Sequence, residues 1–118
     1  VMIVTGASKG IGKAIALAAA EWGADLALGN RNIAEAEPVA AECRAMGRRV
    51  EAWPLDLASV ESINHFVDQV YAAFGRIDVL VNNAGVNTPK PALDYSEAEF
   101  DFIADVNFKG AFFIAKWW

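Results

Sequence analysis

Four short apolar runs alternate with longer stretches of helical periodicity along this chain, and that alternation constrains the fold more than any other feature. Val1 to Val4 is the first run, β-branched and ending at Thr5-Gly6. From Ile11 to Trp22 a helical pattern places Ile11, Ile15, Ala18 and Ala19 on one face, and Gly23 stops it. Leu26 to Leu28 is the second strand-like run. Ile33 to Met46 reads as a helix ending at Gly47, with Pro38 near its first turn. Val50 to Leu55 is the third run. Ser59 caps a helix that carries Val60, Ile63, Phe66, Val67, Val70, Tyr71 and Phe74 at 3.6-residue spacing and stops at Gly75. Ser62 occupies the position three residues after Ser59, so this cap lacks the full box. Val79 to Val81 is the fourth run. Ser96 with Glu99 forms a capping box for a last helix running towards the end of the chain.

The order β-α-β-α-β-α-β-α predicts an α/β fold: a parallel sheet with helices on both faces. Right-handed crossovers make it a doubly wound, Rossmann-type sheet of strand order 3-2-1-4. Strands apolar on both faces fit burial between two helix layers.

Bulk properties narrow the function classes. At 118 residues the chain fits one domain, and an apolar share of 55% is incompatible with a disordered tail. A net charge of −5 with interspersed signs leaves no electrostatic footprint for nucleic acid. No apolar run approaches the ~20 residues needed to span a bilayer. The single cysteine, Cys43, has no second thiol and no metal-ligand spacing around it, so no metal site is expected. No signal-peptide order is visible at Val1, and the expected location is the cytoplasm.

The loop after the first strand carries the strongest chemical signal. In open α/β sheets ligands sit beyond the carboxyl ends of the strands where the order reverses, here between strands one and four. Thr5-Gly6-Ala7-Ser8-Lys9-Gly10-Ile11-Gly12 lies at that point. Gly6 permits a tight turn, Gly10 lets backbone approach a pyrophosphate, and Gly12 allows close helix–strand contact. The helix that follows aims free N–H groups and the positive end of its dipole at the same place. Three glycines alone also fit a merely tight turn. Their spacing is G-x-x-x-G-x-G and lacks the Lys-Ser/Thr ending of a P-loop.

This phrase resembles the signature of the short-chain dehydrogenases/reductases. Asp56-Leu57 after strand three, Asn82-Asn83-Ala84-Gly85 after strand four and Asn107 within Asp105-Val106-Asn107-Phe108-Lys109-Gly110 follow in the family's order and spacing. The resemblance covers essentially the whole chain. It implies an NAD(P)-dependent oxidoreductase that moves a hydride between nicotinamide and a small alcohol or ketone, with residues 1–118 as the amino-terminal part of a dinucleotide-binding domain and the catalytic second half absent. By the same resemblance, Gly6, Ser8, Lys9, Gly10, Ile11 and Gly12 line the pyrophosphate and the adenosine 2′ region. Asp56 contacts adenine and Leu57 contributes its backbone; a helix cap or turn role for Asp56 stays open. Asn83, Ala84 and Gly85 pass under the ribose, although Asn82 and Asn83 also suit purely structural bonds between strands. Asn107 matches the asparagine of the family's Asn-Ser-Tyr-Lys tetrad, on a distorted helix.

Cofactor choice rests on Leu28-Gly29-Asn30-Arg31-Asn32. Asn30 stands where NAD-preferring members carry an acid that bonds the ribose 2′-OH. Arg31 offers a fork suited to phosphate, and Lys9 adds a nearby positive charge. The expectation is NADP(H), with NAD(H) as the alternative.

The family's Tyr-x-x-x-Lys is not among these residues: Tyr71 is followed four positions on by Gly75, and Tyr95 by Glu99. Either these 118 residues are part of a longer enzyme or they form a naturally truncated, non-catalytic nucleotide-binding module. A sugar-nucleotide epimerase fits less well, because those members favour T-G-x-x-G-x-x-G. Tyr71 is expected in the core, His65 on the surface, and Trp22 and Trp53 in packing. The loop Asn87, Thr88, Pro89, Lys90 and Pro91 borders substrate in the family, and Lys90-Pro91-Ala92-Leu93 resembles sugar-acid members such as gluconate 5-dehydrogenases and, equally, acyl-carrier-protein ketoreductases. The family's subunit interface uses the last helix, so apolar Phe112, Phe113, Ile114, Trp117 and Trp118 imply a homo-oligomer.

Overall fold

The computed structural model describes residues 1–86 and 89–117. Four parallel strands form one sheet: β1 (Met2–Thr5), β2 (Leu26–Asn30), β3 (Val50–Pro54) and β4 (Val79–Val81), in the order β3-β2-β1-β4. This is the expected doubly wound arrangement. The register is continuous across the sheet, with Met2 opposite Leu26 on one side and Val79 on the other, and Leu26 opposite Val50. Helices α1 (Gly10–Glu21), α2 (Ile33–Ala45) and α3 (Val60–Phe74) connect the strands. After β4 come a short 3₁₀ turn (Ala92–Asp94), α4 (Glu97–Ala104), a π-helical segment (Asp105–Gly110) and α5 (Ala111–Ala115).

Alternation along the strands sorts the core into two layers. Ile3 and Ala27 point to one face, where Ile63, Phe66, Val67 and Val70 of α3 and Ile114 of α5 cover them. Val4, Leu26 and Leu28 point to the other, under Ala16 and Ala20 of α1 and Val39, Ala40 and Cys43 of α2. On that second face the small residues let helices approach closely. The Cys43 thiol lies 3.7 Å from the Ala16 carbonyl, and burial, with Glu42 nearby, pushes its pKa up. Trp53 meets Phe66 and Phe74 edge-on, each with centroids 6.3 Å apart, as its packing role requires.

Several local expectations need correction. The fully buried residues of α1 are Gly12, Ala16 and Ala20; Ile15 and Ala19 are half-buried and pack against the core, whereas Ala18 is exposed and Ile11 is 74% exposed. Tyr71 is 41% exposed rather than core, because one residue past Val70 the helix has turned about 100° off its apolar stripe. Trp22, at the end of α1, is 91% exposed and packs against little. Pro38 is the sixth residue of α2, two beyond its first turn; its position is exposed, so water can serve the carbonyl it leaves unbonded. His65 is on the surface, as expected. Among the described residues no group of acids, histidines or cysteines is arranged to hold a metal, and no helix is long and apolar enough to cross a membrane.

Candidate functional site

The cleft at the carboxyl ends of the strands is built by close backbone contacts between segments that are remote in sequence. Thr5, fully buried at the end of β1, is the latch. Its hydroxyl accepts hydrogen bonds from the backbone N–H of Asn83 (3.1 Å) and of Ala84 (3.0 Å) and donates to the Val81 carbonyl (3.3 Å). The Asn83 amide donates back to the carbonyls of Thr5 (3.2 Å) and Gly6 (3.1 Å). The loops after β1 and β4 are thereby fixed side by side.

Two glycines make that approach possible. A Cβ on Gly6, which has φ +66°, would stand 2.9 Å from the Ala84 Cα; one on Gly12 would stand 2.2 Å from the Gly6 carbonyl oxygen and 2.4 Å from Asn83 Nδ2. Gly10 differs. Its φ is +60°, yet a Cβ there would meet nothing within 4 Å. Its backbone faces open space at the first turn of α1.

That turn is also uncapped. Asn32, Ser59 and Ser96 cap α2, α3 and α4 with side-chain acceptors, whereas Lys9 at the N-cap of α1 makes no such bond and the first turn holds no acid. The leading N–H groups of α1 are left for an acceptor from outside the helix.

The cleft has a volume of about 480 Å³, within the range of small-molecule sites. Of the residues singled out from the sequence, Gly6, Ser8 and Lys9, then Asn30, Arg31 and Leu57, then Asn83, Ala84 and Gly85 line it. Gly10, Ile11, Gly12, Asp56 and Asn107 do not. Gly12 acts behind the wall, through packing, and Ile11 turns its side chain to solvent. One carboxylate oxygen of Asp56 accepts from the Ala58 N–H at 3.0 Å, the turn role left open above. Leu57 is buried, and its carbonyl lies so near Gly110 that a Cβ there would come within 2.3 Å of it.

Asn107 lies in the π-helical segment, which supplies the distortion expected at that point. Its side chain clamps the backbone of Val86: Oδ1 accepts from the Val86 N–H at 2.7 Å and Nδ2 donates to the Val86 carbonyl at 2.8 Å. A Cβ on Gly85 would lie 3.2 Å from Asn107 Oδ1, which explains a glycine there. Val86 and Val106 both line the cleft and were not singled out from the sequence, nor were Gly29, Asn32, Glu35 and Leu55. Spacing gives no sign of them.

The rim nearest β2 carries the charge. Asn30 donates from Nδ2 to the Asn32 carbonyl at 2.8 Å, and Asn32 caps α2 through the Ala34 N–H at 3.0 Å. Lys9 and Arg31 have no ion-pair partner among the described residues. Across the site, Lys90 pairs with Glu99 and lies over the Tyr95 ring at 5.4 Å. Asn87 and Thr88, named as specificity candidates, lie outside the described residues, as does Trp118.

The short chain dehydrogenase family model matches residues 1–117. The chain belongs to the short-chain dehydrogenase family. Among curated relatives, 2-dehydro-3-deoxy-D-gluconate 5-dehydrogenase of Escherichia coli is 36% identical over 116 residues, which are 98% of this chain and 45% of that protein. A 3-oxoacyl-(acyl-carrier-protein) reductase of Staphylococcus epidermidis is 39% identical over 93% of this chain and 46% of its own length. The chain thus spans about half the length of the curated relatives it matches. Among solved structures, a metagenomic short-chain oxidoreductase in complex with NADP superposes with a TM-score of 0.93 at 39% identity, over 98% of this chain and 52% of the other. An alcohol dehydrogenase of the archaeon Thermococcus sibiricus complexed with 5-hydroxy-NADP does so with 0.93 at 40% identity, over 98% and 49%. The short-chain dehydrogenase signature in Thr5–Gly12 therefore sits on the sheet topology of that family.

Proposed function

We propose that this chain supplies the dinucleotide-binding half of an NADP(H)-dependent oxidoreductase acting on a small alcohol or ketone, with NAD(H) as the weaker cofactor. The observation that carries the reading is the uncapped, acid-free first turn of α1, which follows directly on Ser8 and Lys9 of the cleft lining. Its free N–H groups suit a pyrophosphate, and the missing side chain at Gly10 removes the obstacle to contact. Gly6, Ser8, Gly10, Ile11 and Gly12 would serve this end, Ile11 through its backbone and Gly12 by holding the loop. Asn83, Ala84 and Gly85 offer a flat, small-residue wall for the ribose. Asp56 retains one carboxylate oxygen beyond its turn bond to meet adenine, next to Leu57. When bound, the nicotinamide gives or takes the hydride. Asn107 acts as a positioning residue here, because both ends of its amide are committed to Val86.

Preference for NADP(H) follows from the rim. Lys9 and Arg31 bring two unpaired positive charges against one carboxylate, that of Glu35, and Asn30 replaces the acid that would repel a 2′-phosphate. Relatives solved with NADP and 5-hydroxy-NADP support the same choice. For the substrate, likeness to a sugar-acid dehydrogenase and to a 3-oxoacyl reductase supports a polar hydroxy or oxo compound. The buried single thiol suits a reducing cytoplasm. The exposed Phe108, Phe112 and Trp117 on the last helix suit a subunit interface.

Fluorescence titration of the intact protein with NADPH and NADH tests the reading. Arg31→Ala should weaken NADPH by on the order of 1.5–3 kcal/mol, the worth of hydrogen bonds to a charged group, and NADH far less. Tenfold or greater preference of the unaltered protein for NADH would overturn it. Coding sequence beyond Trp118 containing a Ser and Tyr-x-x-x-Lys would favour the enzyme over a non-catalytic module.

A further inference from the structure

Resting on the NADP(H) reading, we propose that Phe102 is a specificity-determining residue that holds the Arg31 guanidinium at the mouth of the cleft, ready for a 2′-phosphate. The two come from different elements. Arg31 follows β2 and lines the cleft; Phe102 belongs to α4, four residues before Val106, which also lines it. The Arg31 Cζ lies 5.6 Å from the centroid of the Phe102 ring, inside the reach of a cation–π contact.

Nothing else described at this corner can hold the arginine. The Asn30 amide is spent on the Asn32 carbonyl, the Asn32 side chain caps α2, and no carboxylate pairs with Arg31 among the described residues. Phe102 is itself 38% exposed, so burial alone does not account for an aromatic ring at this position.

The stack suits phosphate capture for a geometric reason. A guanidinium presents its five N–H donors in its plane, while an aromatic ring contacts its face. Stacking therefore restrains the long side chain and leaves the donor edge free for two parallel bonds to a phosphate. A restrained arginine loses less conformational freedom when the phosphate arrives. A cofactor without the 2′-phosphate gains nothing from this arrangement. The effect is therefore on preference and not on dinucleotide binding in general.

The test uses the intact protein, with NADPH and NADH titrated separately by nicotinamide fluorescence at fixed ionic strength. Phe102→Leu should weaken NADPH about two- to fivefold, the worth of an exposed cation–π contact, and leave NADH unchanged. Phe102→Tyr should keep the NADPH affinity, since a phenol ring holds the cation as well. In an Arg31→Ala background Phe102→Leu should have no further effect, because the partner it acts through is gone. Equal weakening of both cofactors would make Phe102 a plain wall for the adenosine and overturn the inference, as would an undiminished effect in the Arg31→Ala background. An unaltered protein that favours NADPH, with Phe102→Leu keeping that preference intact, defeats this inference alone. An unaltered protein that binds NADH as tightly as NADPH defeats the NADP(H) reading as well.

Discussion

Replacing Thr5 by valine removes one buried hydroxyl and little volume, so it isolates the latch between the loops after β1 and β4. The hydroxyl accepts from two backbone N–H groups, at 3.1 and 3.0 Å, and donates to one carbonyl at 3.3 Å. Valine fills the space but accepts nothing, so the Ala84 N–H loses its partner, while the Asn83 N–H keeps its second bond, to the Val81 carbonyl at 3.0 Å. An orphaned buried donor costs roughly 1–3 kcal/mol. Asn83 and Ala84 are half-buried, so some water reaches them and the lower half of that range applies. One such group costs about 1–1.5 kcal/mol, and the weakened hydrogen bonding of the Asn83 N–H adds roughly 0.5 kcal/mol. The long bond to Val81 adds little, and the apolar gain from the valine methyl offsets up to ~0.8 kcal/mol. Thr5→Val should therefore destabilise by about 1 kcal/mol. Thr5→Ser keeps the acceptor and loses one buried methyl, for about 1 kcal/mol. Urea unfolding of the intact protein followed by tryptophan fluorescence gives both values from the shift in midpoint at constant slope. NADPH affinity should fall with Thr5→Val and hold with Thr5→Ser. A valine variant as stable as the parent, or a serine variant that loses NADPH affinity as the valine variant does, would show that packing and not the hydroxyl joins the two loops.

Gly110→Ala drives a Cβ to 2.3 Å from the Leu57 carbonyl oxygen and 2.8 Å from its Cβ, so the backbone itself must shift. Overpacking of this kind costs typically 1–3 kcal/mol, and a lowered melting temperature together with weaker dinucleotide binding is the expected result of thermal unfolding and titration. The exposed Phe108, Phe112 and Trp117 predict self-association through the last helix. Size-exclusion chromatography with light scattering should show a dimer or larger, and a stable monomer at micromolar concentration would count against the helix as an interface.

The fold was legible because the sequence changes period where the structure changes element. The short, unbroken apolar run of Val1–Val4 and the 3.6-residue stripe in Val60–Phe74 differ too strongly to confuse, and Ser59, Gly75, Ser96 and Glu99 mark the ends by specific hydrogen bonds or a left-handed backbone. The buried face of α1 was not legible. Alanines at 14, 16, 18, 19 and 20 put small apolar groups all round the helix, so no face stands out and tertiary packing decides. Tyr71 misled for the opposite reason: a large apolar ring beside the stripe counts towards it on paper, while 100° of rotation places it outside.

The candidate site divides in the same way, into what spacing records and what only folding brings together. Its walls are made by backbone approaching backbone or a short amide: Gly6 against Ala84, Gly12 against Asn83, Gly85 against Asn107, Gly110 against Leu57. Each pair joins segments far apart in sequence, so the glycines could be seen but their partners could not. The consequence is a division of labour. A cavity shaped by missing side chains is the same for any dinucleotide, and a substitution at one of those glycines should harm NADPH and NADH alike. On the proposed reading, discrimination comes from long side chains at the rim, where Lys9, Arg31 and Glu35 stand, with Phe102 against Arg31, and where a change leaves the walls intact. Residues that identify the family and residues that set this protein's preference are therefore different sets. On the inference drawn above, the second set includes the Phe102 ring, which no motif marks, because its role depends on its contact with Arg31 and not on its neighbours in the chain.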